Sequence, residues 1–155
     1  MKARRVSGLG PDTRFGDAAA ATVEVRAAEV FANAEGVLDT RDIDRVHDMR
    51  VATRRLRAAM EVFAPCFPPK EHRRLLKEVK RLADALGERR DPDVALEELR
   101  AIGDEVGTDS GLRSLTTELR AEQARGNESL ADALERVLDE KLAERLAALA
   151  ERART

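Results

Sequence analysis

Aromatic residues, cysteine and long apolar runs are all scarce in this sequence. The 155 residues include four Phe, no Tyr or Trp, and one cysteine, Cys66. A single cysteine cannot form an internal disulfide, so we expect a reducing compartment and a cytoplasmic protein. No window holds about 18 uninterrupted apolar residues, which predicts that no segment spans a membrane. Gly8, Gly10 and Pro11 fall where a signal peptide needs an apolar run.

The residues that are abundant favour helix. Ala, Leu, Glu and Arg dominate, and 43% of the residues are hydrophobic, too many for a disordered chain. We therefore predict an all-α fold, an antiparallel bundle of about five helices. Glycines and a proline in residues 1–16 predict a flexible N-terminal arm, and residues 17–155 then form a single helical domain.

Capping residues, prolines and glycines set the predicted helix boundaries. We expect a first helix over about 17–38 and a second that is capped by Asp39, Thr40 or Asp42 and runs to about residue 64. A third helix begins at Pro68-Pro69 and ends near Gly87, a fourth runs over about 92–106, and a last one runs from about 110 to the C-terminus. Gly87 would end the third helix, Asp91 and Pro92 would cap and begin the fourth, and Gly126 would kink or divide the last. The predicted apolar side of the first helix consists of Ala21, Val25, Ala28, Phe31 and Ala32.

The small net charge of −2 conceals a strong segregation of charge. Residues 41–90 contain 14 Lys and Arg against 8 Asp and Glu, whereas residues 91–155 contain 9 against 16. A basic middle beside an acidic end points to a local anion site rather than to general polyanion binding.

The second predicted helix separates apolar and basic residues onto opposite sides. At about 100° per residue, the apolar side consists of Met49, Ala52, Leu56, Ala59, Met60 and Phe63. The opposite side consists of His47, Arg50, Arg54 and Arg57, with Arg55 at its flank as a weaker candidate. No acidic residue interrupts this basic side between His47 and Arg57.

The third predicted helix repeats this pattern. Its basic side contains Arg73, Lys77, Lys80 and Arg81, opposite an apolar side of Leu75, Val79, Leu82 and Leu86. Asp84 lies within the basic side and could pair with Lys80 or Lys77. A short proline-rich connection makes the two helices neighbours, so their basic sides could form one surface.

Two interpretations of this surface remain open, an ordinary solvated face and an anion-binding face. Arg presents a planar fork of donors that suits phosphate oxygens, and Lys adds a mobile point charge. Proteins that bind single-stranded nucleic acid generally offer aromatic side chains for stacking, which this sequence lacks. A chain of phosphates suits the surface better, although duplex binding through phosphates alone remains possible.

Two sequence segments identify a family resemblance. The run VHDMRVATRRLRAAMEVF and the later run LADALGERRDPDV closely resemble the CHAD domain, the conserved histidine α-helical domain. The resemblance is specific over residues 46–94 and looser over about 18–149. It implies an all-helical domain that binds inorganic polyphosphate through basic residues on its helices. The implied binding residues are His47, Arg50, Arg54, Arg57, Lys77, Lys80 and Arg81.

The same resemblance shapes our expectations about mechanism and partners. Residues 90–94, RDPDV, match the family's RD-x-DV signature, for which a partly structural role is expected. Family members generally contain two similar bundles, whereas this sequence contains one, so we expect a homodimer with the basic faces lining a shared groove. We predict polyphosphate binding without catalysis, cofactor or metal, in the cytoplasm or at polyphosphate granules. The alternatives are binding to nucleic-acid backbones and phosphoryl transfer by His47.

Two further residues carry simpler expectations. We expect His72 to be a surface residue and Cys66 to be a buried small apolar group. With only two histidines in the chain, a metal site at His47 has little support.

Overall fold

The computed structural model describes all 155 residues and is built from helices without strands. The five α-helices are α1 (Phe15–Ala32), α2 (Ile43–Val62), α3 (Pro69–Val106), α4 (Ser110–Asp139) and α5 (Leu142–Arg154). A single turn of 3₁₀ helix, Ala64–Cys66, lies between α2 and α3. The predicted all-α bundle of about five helices is confirmed. None of the helices combines the length and apolar character needed to cross a membrane.

The helices surround one apolar core. α1 packs between α2 and α5, α3 packs between α2 and α4, and α5 closes the bundle against α3 and α4. The predicted core sides of α2 and α3 are confirmed, since Leu56 and Leu86 are almost completely buried. The predicted apolar side of α1 is wrong, because Ala28 and Ala32 are exposed. The buried residues of α1 are Ala19, Ala20, Val23, Ala27, Glu29 and Val30. Alanines occur all around α1, and the helix packs between two neighbours. Its sequence therefore does not show one distinct apolar side.

The helix boundaries differ from the prediction at three points. α1 ends at Ala32 rather than near residue 38, and the following turn includes Gly36 with a φ of 72°. α3 continues through Gly87 and Pro92, so the predicted third and fourth helices are one helix of 38 residues. α4 continues through Gly126, and the break comes instead before α5, where Lys141 adopts a left-handed φ of 54°.

α3 is continuous because tertiary packing outweighs the helix-breaking effect of a proline. Pro92 lacks a backbone N–H, so the carbonyl of Glu88 loses its usual partner within the helix. α4 crosses α3 at this point, and a Cβ added to Gly126 would lie 2.7 Å from that carbonyl oxygen. The close approach of α4 and the burial of Pro92 against the bundle hold the helix together where the sequence suggested a boundary.

The far ends of α3 and α4 form a hairpin that we call the distal hairpin, residues 94–125. At about 1.5 Å per residue, α3 is about 57 Å long and α2 only about 30 Å, so α3 extends beyond the body of the bundle. No residue of the distal hairpin is fully buried, and Ile102, Val106 and Leu115 are exposed apolar residues near its tip.

The first 14 residues precede α1 without regular secondary structure. Their beginning contacts the bundle, since Arg55 Nη2 donates to the carbonyl of Met1 at 3.0 Å and Arg26 Nη2 to that of Arg4 at 3.2 Å. Residues 5–12 make only local hydrogen bonds. The flexibility of this arm stays a prediction.

Candidate anion-binding surface

The side chains that the sequence singles out lie on the outer side of α2 and α3. The buried sides of the two helices face the core, which leaves Arg54, Arg57, Lys77 and Arg81 exposed and His47, Arg50 and Lys80 half-buried. We call these seven residues the basic face. The structure does not gather all seven into one pocket, because the exposed ridge of α3 separates two grooves.

The first groove runs between α2 and α3 and holds about 460 Å³. Its basic residues are Arg50, Arg54 and Arg57, all from α2, as predicted for one side of that helix. Three carboxylates from α3 face them: Asp84, Glu88 and Asp91. The lining therefore carries equal numbers of positive and negative charges. The sequence of α2 alone concealed this balance, because the carboxylates belong to the neighbouring helix.

The second groove lies on the other side of the α3 ridge, between α3, α4 and α5, and holds about 480 Å³. No apolar side chain lines it. The lining consists of Arg74, Lys77, Glu78, Arg81, Arg136, Glu140 and Arg145. Five cations against two carboxylates give a formal charge of +3. Sequence reasoning identified Lys77 and Arg81 here but missed the three arginines, two of which lie more than 50 residues further along the chain.

Ion pairs reduce the charge of the basic face at one end. Glu61 lies at the end of α2 and pairs with Arg57 at 3.1 Å and with Lys80 at 3.7 Å. The hydrogen bond from Arg57 holds the pKa of the Glu61 carboxyl below its usual range. The predicted pairing of Asp84 with Lys80 or Lys77 is wrong, because its carboxylate forms no salt bridge and Lys80 pairs with Glu61 instead.

The other members of the basic face have no salt-bridge partner. No carboxylate oxygen lies within 4.0 Å of the side-chain nitrogens of the following residues: His47, Arg50, Arg54, Lys77 and Arg81. His47 lines neither groove and makes no side-chain hydrogen bond. These five side chains can therefore donate to an external anion without first breaking an internal pair.

The RD-x-DV segment lies at the core of the α3–α4 crossing. Arg89, just before it, and Asp93 form an ion pair at 3.2 Å with both side chains completely buried. Arg89 Nη1 also donates to the carbonyl of Val37 at 3.2 Å, and Gln123 Nε2 donates to Asp93 Oδ1 at 2.6 Å. Burial raises the pKa of the Asp93 carboxyl, against the opposing effect of the bond from Gln123. The segment therefore joins α3, α4 and the loop before α2.

The predicted roles of Asp91, in this segment, and of His72, near the start of α3, are both wrong. Asp91 does not cap a helix, because it is an exposed residue in the middle of α3 on the rim of the first groove. His72 is buried rather than on the surface, and its Nε2 donates to the carbonyl of Met60 at 2.7 Å. Its ring stacks on Phe67 with the ring centroids 5.6 Å apart. An apolar stacking partner and a free carbonyl at the end of α2 explain why this polar ring is buried.

Cys66 is half-buried rather than fully buried and packs against the core. Burial raises the pKa of its thiol, which disfavours the thiolate form that reacts. Nowhere in the chain do three or more His, Cys, Asp or Glu side chains gather in a way that could hold a metal ion.

Comparison with known proteins gives one finding. The family model for the CHAD domain matches residues 19–155, most of the chain. Neither the curated proteins nor the solved structures include a match. The matched region contains all five residues without salt-bridge partners and both grooves.

Proposed function

Because this chain belongs to the CHAD domain family, we propose that it binds inorganic polyphosphate through the basic face of α2 and α3. The family is associated with polyphosphate binding. Binding would come from charge-assisted hydrogen bonds to phosphate oxygens, each stronger than a bond between neutral groups. No bond in the ligand is made or broken in this proposal, so the protein acts as a binding module rather than an enzyme.

One observation supports the proposal most directly: five members of the basic face have no internal salt bridge. Unpaired like charges one turn apart destabilise a helix slightly, so a structure gains nothing from keeping them. Arg50 and Arg54 present forks of donors on one side of α2, and Lys77 and Arg81 lie one turn apart on α3. A linear polyanion could contact both helices in succession.

The test is a calorimetric titration with long-chain polyphosphate at two salt concentrations. Replacing Arg54 and Lys80 together by Ala should weaken binding while the far-ultraviolet circular dichroism stays unchanged, because neither side chain is buried in the core. The matched control replaces Lys2 and Arg5, one lysine and one arginine that are exposed in the N-terminal arm, and should bind like the wild type. Equal affinities for the two double variants would place the site elsewhere.

The same titration separates the proposal from its alternatives. Binding that survives an excess of duplex or single-stranded DNA of equal charge supports a phosphate-chain site, and its loss supports a nucleic-acid site. Hydrolysis of polyphosphate in the presence of Mg²⁺ or Mn²⁺ that disappears in His47→Ala would support the enzymatic alternative.

We also propose that two copies form a homodimer in which each distal hairpin packs against the other copy. That the two basic faces line a shared groove, as the family resemblance implies, stays a prediction. Two helices alone bury none of the residues from 94 to 125 completely. The α3 part of the hairpin carries four carboxylates and one arginine, and the α4 part carries three arginines and two carboxylates. None of these charges forms an internal salt bridge. A twofold arrangement that places α3 of one copy against α4 of the other would pair opposite charges.

Light scattering after size exclusion at micromolar concentration tests the dimer. We expect a dimer for the wild type and a monomer for Ile102→Lys, which places a charge at the tip. A monomeric wild type would contradict this part of the proposal and leave polyphosphate binding to be judged by calorimetry. A cytoplasmic location, at polyphosphate granules, is the cellular counterpart of the proposal, and fluorescence imaging tests it.

A further inference from the structure

We infer that the second groove, between α3, α4 and α5, is the strongest phosphate-binding part of this surface and that Arg74 contacts the ligand there. The inference rests on the proposed function and deepens it. It adds residues that neither the motif nor the helix pattern identified, and it makes the groove lined by Arg50, Arg54 and Arg57 the weaker of the two.

The charge of the two linings gives the first reason. The first groove pairs three arginines with three carboxylates, so an incoming polyanion meets as many negative as positive groups. The second groove carries five cations and two carboxylates. Both grooves hold similar volumes, about 460 and 480 Å³. Since the volumes are similar, the difference in charge is what makes the second groove the stronger anion site.

The two carboxylates of the second groove position arginines rather than cancel the site. Glu78 accepts two hydrogen bonds from Arg145, at 2.8 and 2.9 Å, and this pair is the most buried part of the lining. Arg136 uses only its Nε to reach Glu140, at 2.9 Å, which leaves both Nη groups without an internal partner. Arg74, Lys77 and Arg81 have no salt bridge at all. The unpaired cations thus form the outer rim of the groove.

The rim suits a linear chain of phosphoryl groups. Arg74, Lys77 and Arg81 follow one another along α3 and span about 10 Å over seven residues. A separate, smaller pocket shares Arg81 and Arg136 with this groove and has Leu142, the first residue of α5, in its lining. No side chain caps the start of α5, and a helix N-terminus attracts anions.

The outer side of α4 limits the path of the ligand. Asp132, Glu135 and Asp139 form a second shallow depression with Arg136 and Glu140. These carboxylates repel a polyanion that would run across α4. The chain of phosphates is therefore directed along α3, past Arg74, Lys77 and Arg81.

Two adjacent arginines provide a matched test. Arg73 and Arg74 are both exposed residues of α3 without a salt bridge, but only Arg74 lines the second groove. We would titrate the wild type, Arg73→Ala and Arg74→Ala with inorganic tripolyphosphate and, in parallel, with long-chain polyphosphate. Each variant loses one positive charge from the same turn, so a general electrostatic effect would lower both affinities equally.

We expect Arg74→Ala to weaken tripolyphosphate binding about tenfold, the loss of one charge-assisted contact, and Arg73→Ala to weaken it less than twofold. Adding Arg136→Ala to Arg74→Ala should weaken it further, and Arg54→Ala should have the smaller effect of the first groove. Equal effects of the two single variants, with long-chain polyphosphate still bound by the wild type, would overturn this inference and leave the proposed function intact. A wild type that binds neither ligand at low salt would overturn both.

Discussion

The crossing of α3 and α4 can be tested with one methyl group. Replacing Gly126 by Ala would add a Cβ 2.7 Å from the carbonyl oxygen of Glu88 and 3.0 Å from Cα of Arg89. Both atoms belong to the backbone, so no change of side-chain rotamer relieves the overlap, and the two helices must move apart.

The expected size follows from two opposing effects. Overpacking in a well-packed region costs about 1–3 kcal/mol, and a clash with backbone belongs at the upper end. Ala is favoured over Gly inside a helix by about 1 kcal/mol. We therefore expect Gly126→Ala to lower the free energy of unfolding by about 2 kcal/mol, which corresponds to a fall in Tm of about 4–8 °C for a chain of this size.

Gly87 is the matched control, because it also lies inside a long helix. A Cβ added there meets nothing within 4 Å, so Gly87→Ala should gain the helix preference alone and stabilise the protein by about 1 kcal/mol. Urea unfolding followed by circular dichroism at 222 nm measures both variants. If Gly126→Ala stabilised the protein as much as Gly87→Ala, the close approach of α3 and α4 would be wrong.

Three further predictions concern buried residues. Removing the guanidinium in Arg89→Ala leaves the carboxylate of Asp93 buried without a countercharge, and urea unfolding should show a loss of about 3–5 kcal/mol; a loss below 1 kcal/mol would contradict the buried pair. Leu56→Ala should cost about 2–5 kcal/mol, whereas an unchanged Tm would mean that α2 is rotated differently. Burial opposes ionisation of Glu29, but hydrogen bonds from Arg26 and from a backbone amide hold the pKa of its carboxyl below the ordinary 4.5. Its stabilisation is therefore complete above about pH 4.5 and is lost as the pH falls through the lower folded pKa. The stability difference between the wild type and Glu29→Gln should shrink on acidification, and a constant difference would refute this assignment.

The parts of the fold that the sequence predicts correctly are those set by periodicity. In α2 and α3 a wide apolar stripe lies opposite a charged one, so burial of Leu56 and exposure of Arg54 follow from the spacing of residues alone. α1 gave the wrong side because alanines occupy most of its circumference. Its orientation depends on which neighbours it meets, and that is information from the tertiary structure.

The helix boundaries show where tertiary packing overrides local sequence signals. A proline preceded by Asp normally marks a helix start, yet Pro92 lies inside α3 because α4 packs across it. Gly126 resembles a breaking point in the sequence, but its missing side chain serves the close contact between helices. His72 is predicted to lie on the surface because the sequence does not show its partners. The fold brings the free carbonyl of Met60 and the ring of Phe67 beside it, and it is buried.

The sequence predicts which basic residues each helix contributes to the candidate surface, but it does not predict the complete surface. The basic residues of α2 and α3 can be identified from their spacing, whereas the carboxylates opposite Arg50 and Arg54 come from another helix. Arg136 and Arg145 reach the second groove from α4 and α5, which the chain brings back to α3 only after the distal hairpin. A helical wheel of one helix shows neither the carboxylates nor the arginines that come from the other helices.

The unbroken length of α3 has a mechanical consequence. Lys77 near one end and Ile102 near the other are separated by about 38 Å of continuous helix, without a loop that could act as a joint. The phosphate-facing side chains and the apolar tip therefore lie on one helix, and the close contact with Gly126 of α4 braces the turn that loses a hydrogen bond at Pro92. Whatever holds the tip of the distal hairpin also sets the direction in which the basic face points, so attachment at one end of the protein would orient its binding surface at the other.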